Sequence, residues 1–267
     1  MTLEPGTVRL ASALTLSYAD QGDRAASTVV MLPGPLDSWR CYEPVLERLP
    51  PTLRAVAISQ RGHGDSDKPD ATYTVQAFAD DLLAFLDALG LDRVVVAGHS
   101  GAGLFARRFA LDHPERVAGL VLESTPLTLR GDERLESMVD SVLGELRDPV
   151  DIELARRVIA DTTRALPAEF AEAMVHETLK VPAHVWRETF AGLLDYDDTA
   201  ELERLTVPVR VIWGDADDVV TGDKLDALLD AIPHAELVTY AGIGHSPHWE
   251  DPSRFAADLA RFLEHVN

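Results

Sequence analysis

Short runs of consecutive apolar residues alternate along the chain with longer stretches in which apolar residues recur every three or four positions. The runs fall at residues 28–32 (TVVML), 55–59 (AVAIS), 94–97 (VVVA), 120–122 (LVL) and 209–213 (VRVIW). Uninterrupted runs of this length are how strands covered on both faces read. Residues 75–89 put Phe78, Leu82, Leu83, Phe85, Leu86 and Leu89 on one broad helical face and stop at Gly90, a residue suited to helix ends. Residues 224–232 and 255–266 carry similar patterns, and residues 7–18 read as an antiparallel hairpin at a sheet edge. Strand–helix alternation with crossover helices predicts an α/β fold: a mostly parallel central sheet with helices on both faces.

One segment breaks the rhythm. From Leu127 to Leu205 there is no buried-strand pattern, only amphipathic stretches at 135–146, 152–163, 168–179 and 185–193, separated by Pro149, Pro167 and Pro182. These are either extra core helices or a cap. The segment interrupts the sheet and returns through Val207-Pro208-Val209 straight into the next strand, which favours a helical cap, or lid, inserted between sheet strands. The chain is then divided into a core of residues 1–126 and 206–267 and a cap of residues 127–205. Ligands in open α/β sheets bind at the carboxyl ends of the strands, where such a cap would enclose a site.

Composition narrows the partners. Of 267 residues, 24 are Lys or Arg and 45 are Asp or Glu, a formal charge of −21, with 46% hydrophobic and 26% charged residues. This is a globular composition, and its charge argues against nucleic acid and anionic membrane surfaces as partners. Cys41 is the only cysteine, so internal disulfides and CxxC metal or redox sites are excluded. No membrane-span-like run and no basic-then-apolar leader is present, so the expected location is cytoplasmic.

The densest chemistry lies at VVVAGHSGAG, residues 94–103. A buried strand enters Gly98-His99-Ser100-Gly101-Ala102, and residues 104–111 read as a helix. A strained strand-to-helix turn that lifts a serine to the top of a sheet needs small residues two before and two after it, and Gly98 and Ala102 provide them. A glycine-rich phosphate-binding turn is the competing reading of the motif alone. A serine hydroxyl also needs a base, and the base an orienting carboxylate. Near the other end, VIWGDADDVV is a strand running into Gly214-Asp215-Ala216-Asp217-Asp218, and YAGIGHSPHWEDP places His245 in a loop before the last helix.

With GHSGA, WGDADD and GHSPHWEDP in that order, the sequence resembles the α/β-hydrolase superfamily over nearly its whole length, in its serine-nucleophile, esterase- or lactonase-like branch. The resemblance implies Ser100 as nucleophile, His245 as general base and Asp217 as the acid. Glu123, ending LVLESTP, is the alternative acid, because some members, including certain fungal-toxin lactonases, resemble this arrangement with a carboxylate there. His99 is expected to point away from the reaction, and His63 and His248 carry no expected role. RGHGDSD, residues 61–67, is read as a structural loop.

The oxyanion hole departs from the family pattern. Relatives commonly show His-Gly-X after the strand equivalent to residues 28–32, X giving one N–H and the residue after the nucleophile the other. Here Pro33 replaces the histidine, and Pro35, placed at X, has no N–H. Gly101 supplies one donor; the second is Leu36, a side chain, a water, or nothing. Trp39, Trp186, Phe190, Leu193 and Trp249 are candidate pocket residues, with core packing the equally weighted alternative.

The expected function is a cofactor-independent serine hydrolase of a small carboxylic ester or lactone, with no metal and a small-molecule acyl substrate as its partner. Ser at the elbow argues against dehalogenase and epoxide-hydrolase chemistry, which uses a carboxylate nucleophile. Perhydrolysis and carbon–carbon bond hydrolysis share the triad and stay open. So does a ligand-binding or regulatory protein on a hydrolase scaffold with weak turnover, motivated by Pro35.

Overall fold

The apolar runs become strands because both their faces are covered, one by each layer of helices. The computed structural model describes residues 3–160 and 162–266. The strands are β1 (Glu4–Arg9), β2 (Thr15–Gln21), β3 (Thr28–Leu32), β4 (Arg54–Ile58), β5 (Val94–His99), β6 (Val117–Glu123), β7 (Val209–Gly214) and β8 (Glu236–Tyr240). They form one sheet in the order β1-β2-β4-β3-β5-β6-β7-β8. The β1–β2 hairpin is antiparallel and β2 meets β4 antiparallel, while β4 through β8 pair in parallel. Every residue of β3, β4, β5 and β6 is buried.

The helices are α1 (Glu43–Leu46), α2 (Val75–Leu89), α3 (Ala102–Asp112), α4 (Glu133–Met138), α5 (Ile152–Ile159), α6 (Ala168–Thr178), α7 (Ala183–Asp195), α8 (Gly222–Ala231), α9 (Pro247–Glu250) and α10 (Pro252–Val266). Alternation sorts strand residues between the two layers. Val30, Val56 and Val96 pack with Phe78 of α2, Phe105 of α3 and Leu228 of α8. Val29, Ala55 and Val95 pack with Val45 of α1 and with Phe255 and Leu259 of α10 on the other face. Among the described residues, no helix is long and apolar enough to cross a membrane.

The segment between β6 and β7 is helical, as expected, but its helices are cut differently. α4 starts earlier than the hydrophobic pattern does, because the Asp132 side chain caps it by accepting from Leu135 N–H, and it passes into a wide turn over Val139–Leu143. α5 stops at Ile159, well before residue 163, with Ala160 N–H closing on Arg156 O; Asp161, within the expected helix, lies outside the described residues. Both ends of the segment are tied to α3. Arg107, fully buried, donates to Pro126 O and Leu127 O at one end and to both oxygens of buried Asp198 at the other. Removing one partner of such a buried pair costs about 3–5 kcal/mol, because the other charge is stranded.

Sequence pattern missed β8. Its residues ELVTY have the exposure of a sheet edge, with Leu237 42% exposed and only Tyr240 buried, so no buried apolar run marks it.

Candidate active site

Ser100 follows directly on β5 and opens α3. Its φ of 54° is left-handed, a conformation costing a non-glycine residue about 1–2 kcal/mol. Ser100 N–H donates to Glu123 O at 2.8 Å, which fastens the turn to the end of β6. The small residues are required by contact: a Cβ on Gly98 would lie 2.6 Å from Ala102 O, and one on Gly103 would lie 2.1 Å from Thr125 Oγ1.

Three chain segments meet over this turn. His245 Nδ1–H donates to Asp217 at 3.0 Å (Oδ2) and 3.1 Å (Oδ1), which leaves the Nε2 lone pair to accept Ser100 Oγ–H at 2.9 Å. Asp217 also accepts Val219 N–H and Val220 N–H, each at 2.9 Å. Burial alone would raise its carboxyl, but the His245 hydrogen bond and charge and these two N–H groups outweigh it and hold Asp217 below the usual range. Ser100, His245 and Asp217 are therefore brought into one hydrogen-bonded chain.

Glu123 is placed elsewhere. Its Oε1 accepts His248 N–H and His248 Nδ1–H, each at 2.8 Å. Burial pushes it up to about 7, against the lowering influence of the neighbouring His99 ring and of the His248 N–H. His99 turns away from the serine: its Nε2–H donates to His245 O at 2.9 Å, and its Nδ1 lies against Gly34. Burial holds His99 and His248 down to about 3, so both are neutral. One donor atom each from His99, Glu123 and His248 lie within 4.8 Å of one another, the closest approach to a metal-ligand set among the described residues. Glu123 Oε1 is taken by His248, while Glu123 Oε2, His99 Nδ1 and His248 Nε2 are buried with no hydrogen-bond partner among the described residues.

A cavity of about 400 Å³ opens over Ser100 and His245. Leu135, Met138, Val158, Trp186, Phe190 and Leu193 of the helical segment line it, with Trp249 and the stretch Gly34 to Asp37. A second cavity, of about 370 Å³, lies at the β1–β2 edge, away from these groups. Four of the five pocket candidates thus face the site. Trp39 does not: it is 3% exposed, packs in the core with Val45 and Leu46 of α1, and its main-chain N–H donates to Ser59 Oγ at 3.1 Å. The loop of residues 61–67 is structural, Ser66 Oγ–H donating to Ser59 O at 2.6 Å and accepting Ser17 N–H at 2.9 Å.

Sequence reasoning overlooked Gly34. Residues 34–37 form a turn closed by Asp37 N–H on Gly34 O at 3.2 Å, with Leu36 at φ 78°. Gly34 lines the cavity, and a Cβ on it would come 2.7 Å from His99 Nδ1, so its backbone abuts the residue before Ser100. Neither Gly34 N–H nor Gly101 N–H is paired with an acceptor among the described residues. The signal in the sequence was Pro35 itself, suited to the second position of a turn, and Leu36 N–H, like that of Gly34, is unpaired among the described residues. Asp37 lines the same cavity, and burial, with the Glu123 charge, pushes it up to about 8.

Comparison with known proteins agrees in fold. The profile of the family described as alpha/beta hydrolase fold matches residues 28–252. The chain is similar to a non-heme chloroperoxidase of Streptomyces lividans, 28% identical over 274 residues, covering 97% of this chain and 99% of that one. An esterase from Exiguobacterium antarcticum superposes with a TM-score of 0.87 at 19% identity, over 98% of this chain and 100% of the other. A thermophilic esterase from Thermogutta terrifontis, solved with malate bound, gives a TM-score of 0.85 at 23% identity over 98% and 99%.

Proposed function

Because the chain belongs to the α/β-hydrolase fold family, we propose that it is a cofactor-independent serine hydrolase that cleaves a small carboxylic ester or lactone. The observation that carries this reading is the unbroken chain from Ser100 Oγ through His245 to Asp217. His245 Nε2 takes the hydroxyl proton as Ser100 Oγ bonds to the acyl carbon. Asp217, ionised across the neutral range, orients the ring and stabilises the imidazolium. The imidazolium returns the proton to the leaving alkoxide, and a water, deprotonated by the same nitrogen, releases the acid and frees Ser100.

Negative charge on the former carbonyl oxygen needs donors aimed at it. We assign Gly101 N–H, next to Ser100, and Gly34 N–H, whose residue abuts His99, with Leu36 N–H, equally unpaired, the alternative two residues on. A ligand-binding or regulatory protein on the same scaffold with weak turnover, motivated by the missing N–H of Pro35, is the second reading. Residues 127–205 act as the cap in this reading, selecting the acyl group through Trp186, Phe190 and Leu193, while residues 1–126 and 206–267 carry the chemistry. The likeness to a chloroperoxidase supports a side reaction in which hydrogen peroxide replaces water at the acyl-enzyme and a peracid leaves.

The test is a panel of p-nitrophenyl esters and lactones, with wild type and Ser100→Ala compared and a fluorophosphonate probe applied to both. Turnover and labelling in wild type, and neither in the variant, are expected. Equal inactivity together with an unlabelled Ser100 in wild type would sink the reading.

A further inference from the structure

Glu123 touches both halves of the site at once. Its main-chain oxygen holds Ser100 N–H at 2.8 Å, and its side-chain Oε1 holds His248 N–H and Nδ1–H at 2.8 Å each. His248 lies three residues after His245, at the start of α9, and its ring is fully buried, packed against Tyr42 and His99 with ring centroids 4.7 Å away in each case. The same loop is held twice more: His245 O by His99 Nε2–H at 2.9 Å, and Gly244 N–H by Glu250 Oε1 at 3.1 Å. Of these three tethers, His99 reaches Ser100 along the chain, and Glu123 reaches it across the sheet from the neighbouring strand.

We propose that Glu123 is a positioning residue that sets the Ser100–His245 distance, its backbone fixing the nucleophile turn and its carboxyl fixing the histidine loop through His248. The inference rests on the triad reading above. Glu123 makes no contact with substrate in this role. It acts by keeping two segments 145 residues apart in the chain in register, and a misplacement of about 1 Å at such a point costs roughly 100-fold in rate. The role is independent of the carboxyl's charge, because one acceptor oxygen makes both bonds. Glutamine keeps that oxygen; alanine does not.

The experiment compares Glu123→Ala, Glu123→Gln and His248→Phe with wild type in three measurements: kcat and KM on a p-nitrophenyl ester per fluorophosphonate-titrated site, thermal melting, and the downfield proton resonance of His245 Nδ1–H, which needs no substrate. Glu123→Ala is expected to lower kcat about 100-fold with KM changed less than about threefold, and to broaden or remove the His245 resonance. Glu123→Gln is expected to restore kcat to within about tenfold of wild type and to keep the resonance. His248→Phe, which retains the backbone bond and the packing, falls between them and carries the test if the alanine variant does not fold. Normal kcat per titrated site with only a lower melting temperature overturns the proposal, as does glutamine failing as badly as alanine. An unchanged His245 resonance in Glu123→Ala overturns it even if the chain proves inactive on every ester, so failure here is separable from failure of the triad reading.

Discussion

Two carboxylate–histidine pairs stand at the ends of neighbouring strands: Asp217–His245 beyond β7 and Glu123–His248 at β6. The second is the shorter, 2.8 Å against 3.0 Å, yet it has no outlet for a proton. His248 is sealed, with its Nε2 buried and unpaired, whereas the His245 side chain is 16% exposed and its Nε2 meets Ser100 Oγ. The acids differ as well. Asp217 shares two backbone N–H groups and His245 between its oxygens and stays ionised. Glu123 receives both of its bonds on one oxygen, and burial pushes it up to about 7. A carboxylate beside an imidazole is thus a common structural tie; access to the far nitrogen and enough N–H donors on the acid distinguish one suited to proton transfer.

The sharpest way to break this comparison is to remove each acid's charge. Asp217→Asn is expected to lower kcat about 10⁴-fold, because the ring loses its partner and correct tautomer, while Glu123→Gln costs at most about tenfold. Steady-state kinetics per titrated site check this, and a reversed order would transfer the acid's role to Glu123.

A smaller effect is expected at Gly34. A methyl group there collides with His99 Nδ1 at 2.7 Å, displacing both the proposed oxyanion donor and the ring that holds His245 O. Gly34→Ala should therefore lose about 100-fold in kcat with little change in KM. A wild-type kcat would move the donor away from Gly34.

The smallest effect is on stability. Burial holds His63 down to about 4 and His99 and His248 down to about 3. Below pH 6.5 the unfolded chain therefore takes up protons that the native chain refuses, and stability declines. Asp37 and Glu123 carry the opposite sign. Raised to about 8 and about 7, they keep protons that the unfolded chain has released, so stability also declines as the pH rises from neutral towards 8. The histidines and the carboxyls thus pull in opposite directions, and stability is expected to be greatest at slightly acidic pH. Urea unfolding across pH 5–8 reads it, and His248→Phe should flatten the acid side. A curve that climbs steadily from pH 6.5 to 8 would contradict the burial argument.

The parts legible in the sequence were those set by neighbours along the chain. Buried strands announce themselves as apolar runs, because both faces must be covered. The turn at Gly98-His99-Ser100-Gly101-Ala102 needs a small residue at Gly98 for a local reason, since a Cβ there meets Ala102 O. The order Ser100, Asp217, His245 follows from three such local patterns. The edge strand β8 did not show, since half-exposed residues leave no run, and the ends of α4 and α5 were set by a capping aspartate and a closing turn rather than by the apolar pattern.

Folding decided everything that depends on distance. Trp39 and Trp186 are both buried aromatics in the sequence's terms, but only one faces the cavity. The oxyanion stretch hung on which of residues 34 to 36 lies against His99, a matter of one residue in a turn. Glu123 and Asp217 were rivals through the family resemblance, with Asp217 ranked first; the fold gave His245 to Asp217 and His248, 125 residues along the chain from Glu123, to Glu123. Residue type and local spacing specify what a side chain can do. Which partner it does it with is set by packing between segments far apart in the chain, and that exists only once the sheet has brought their ends together.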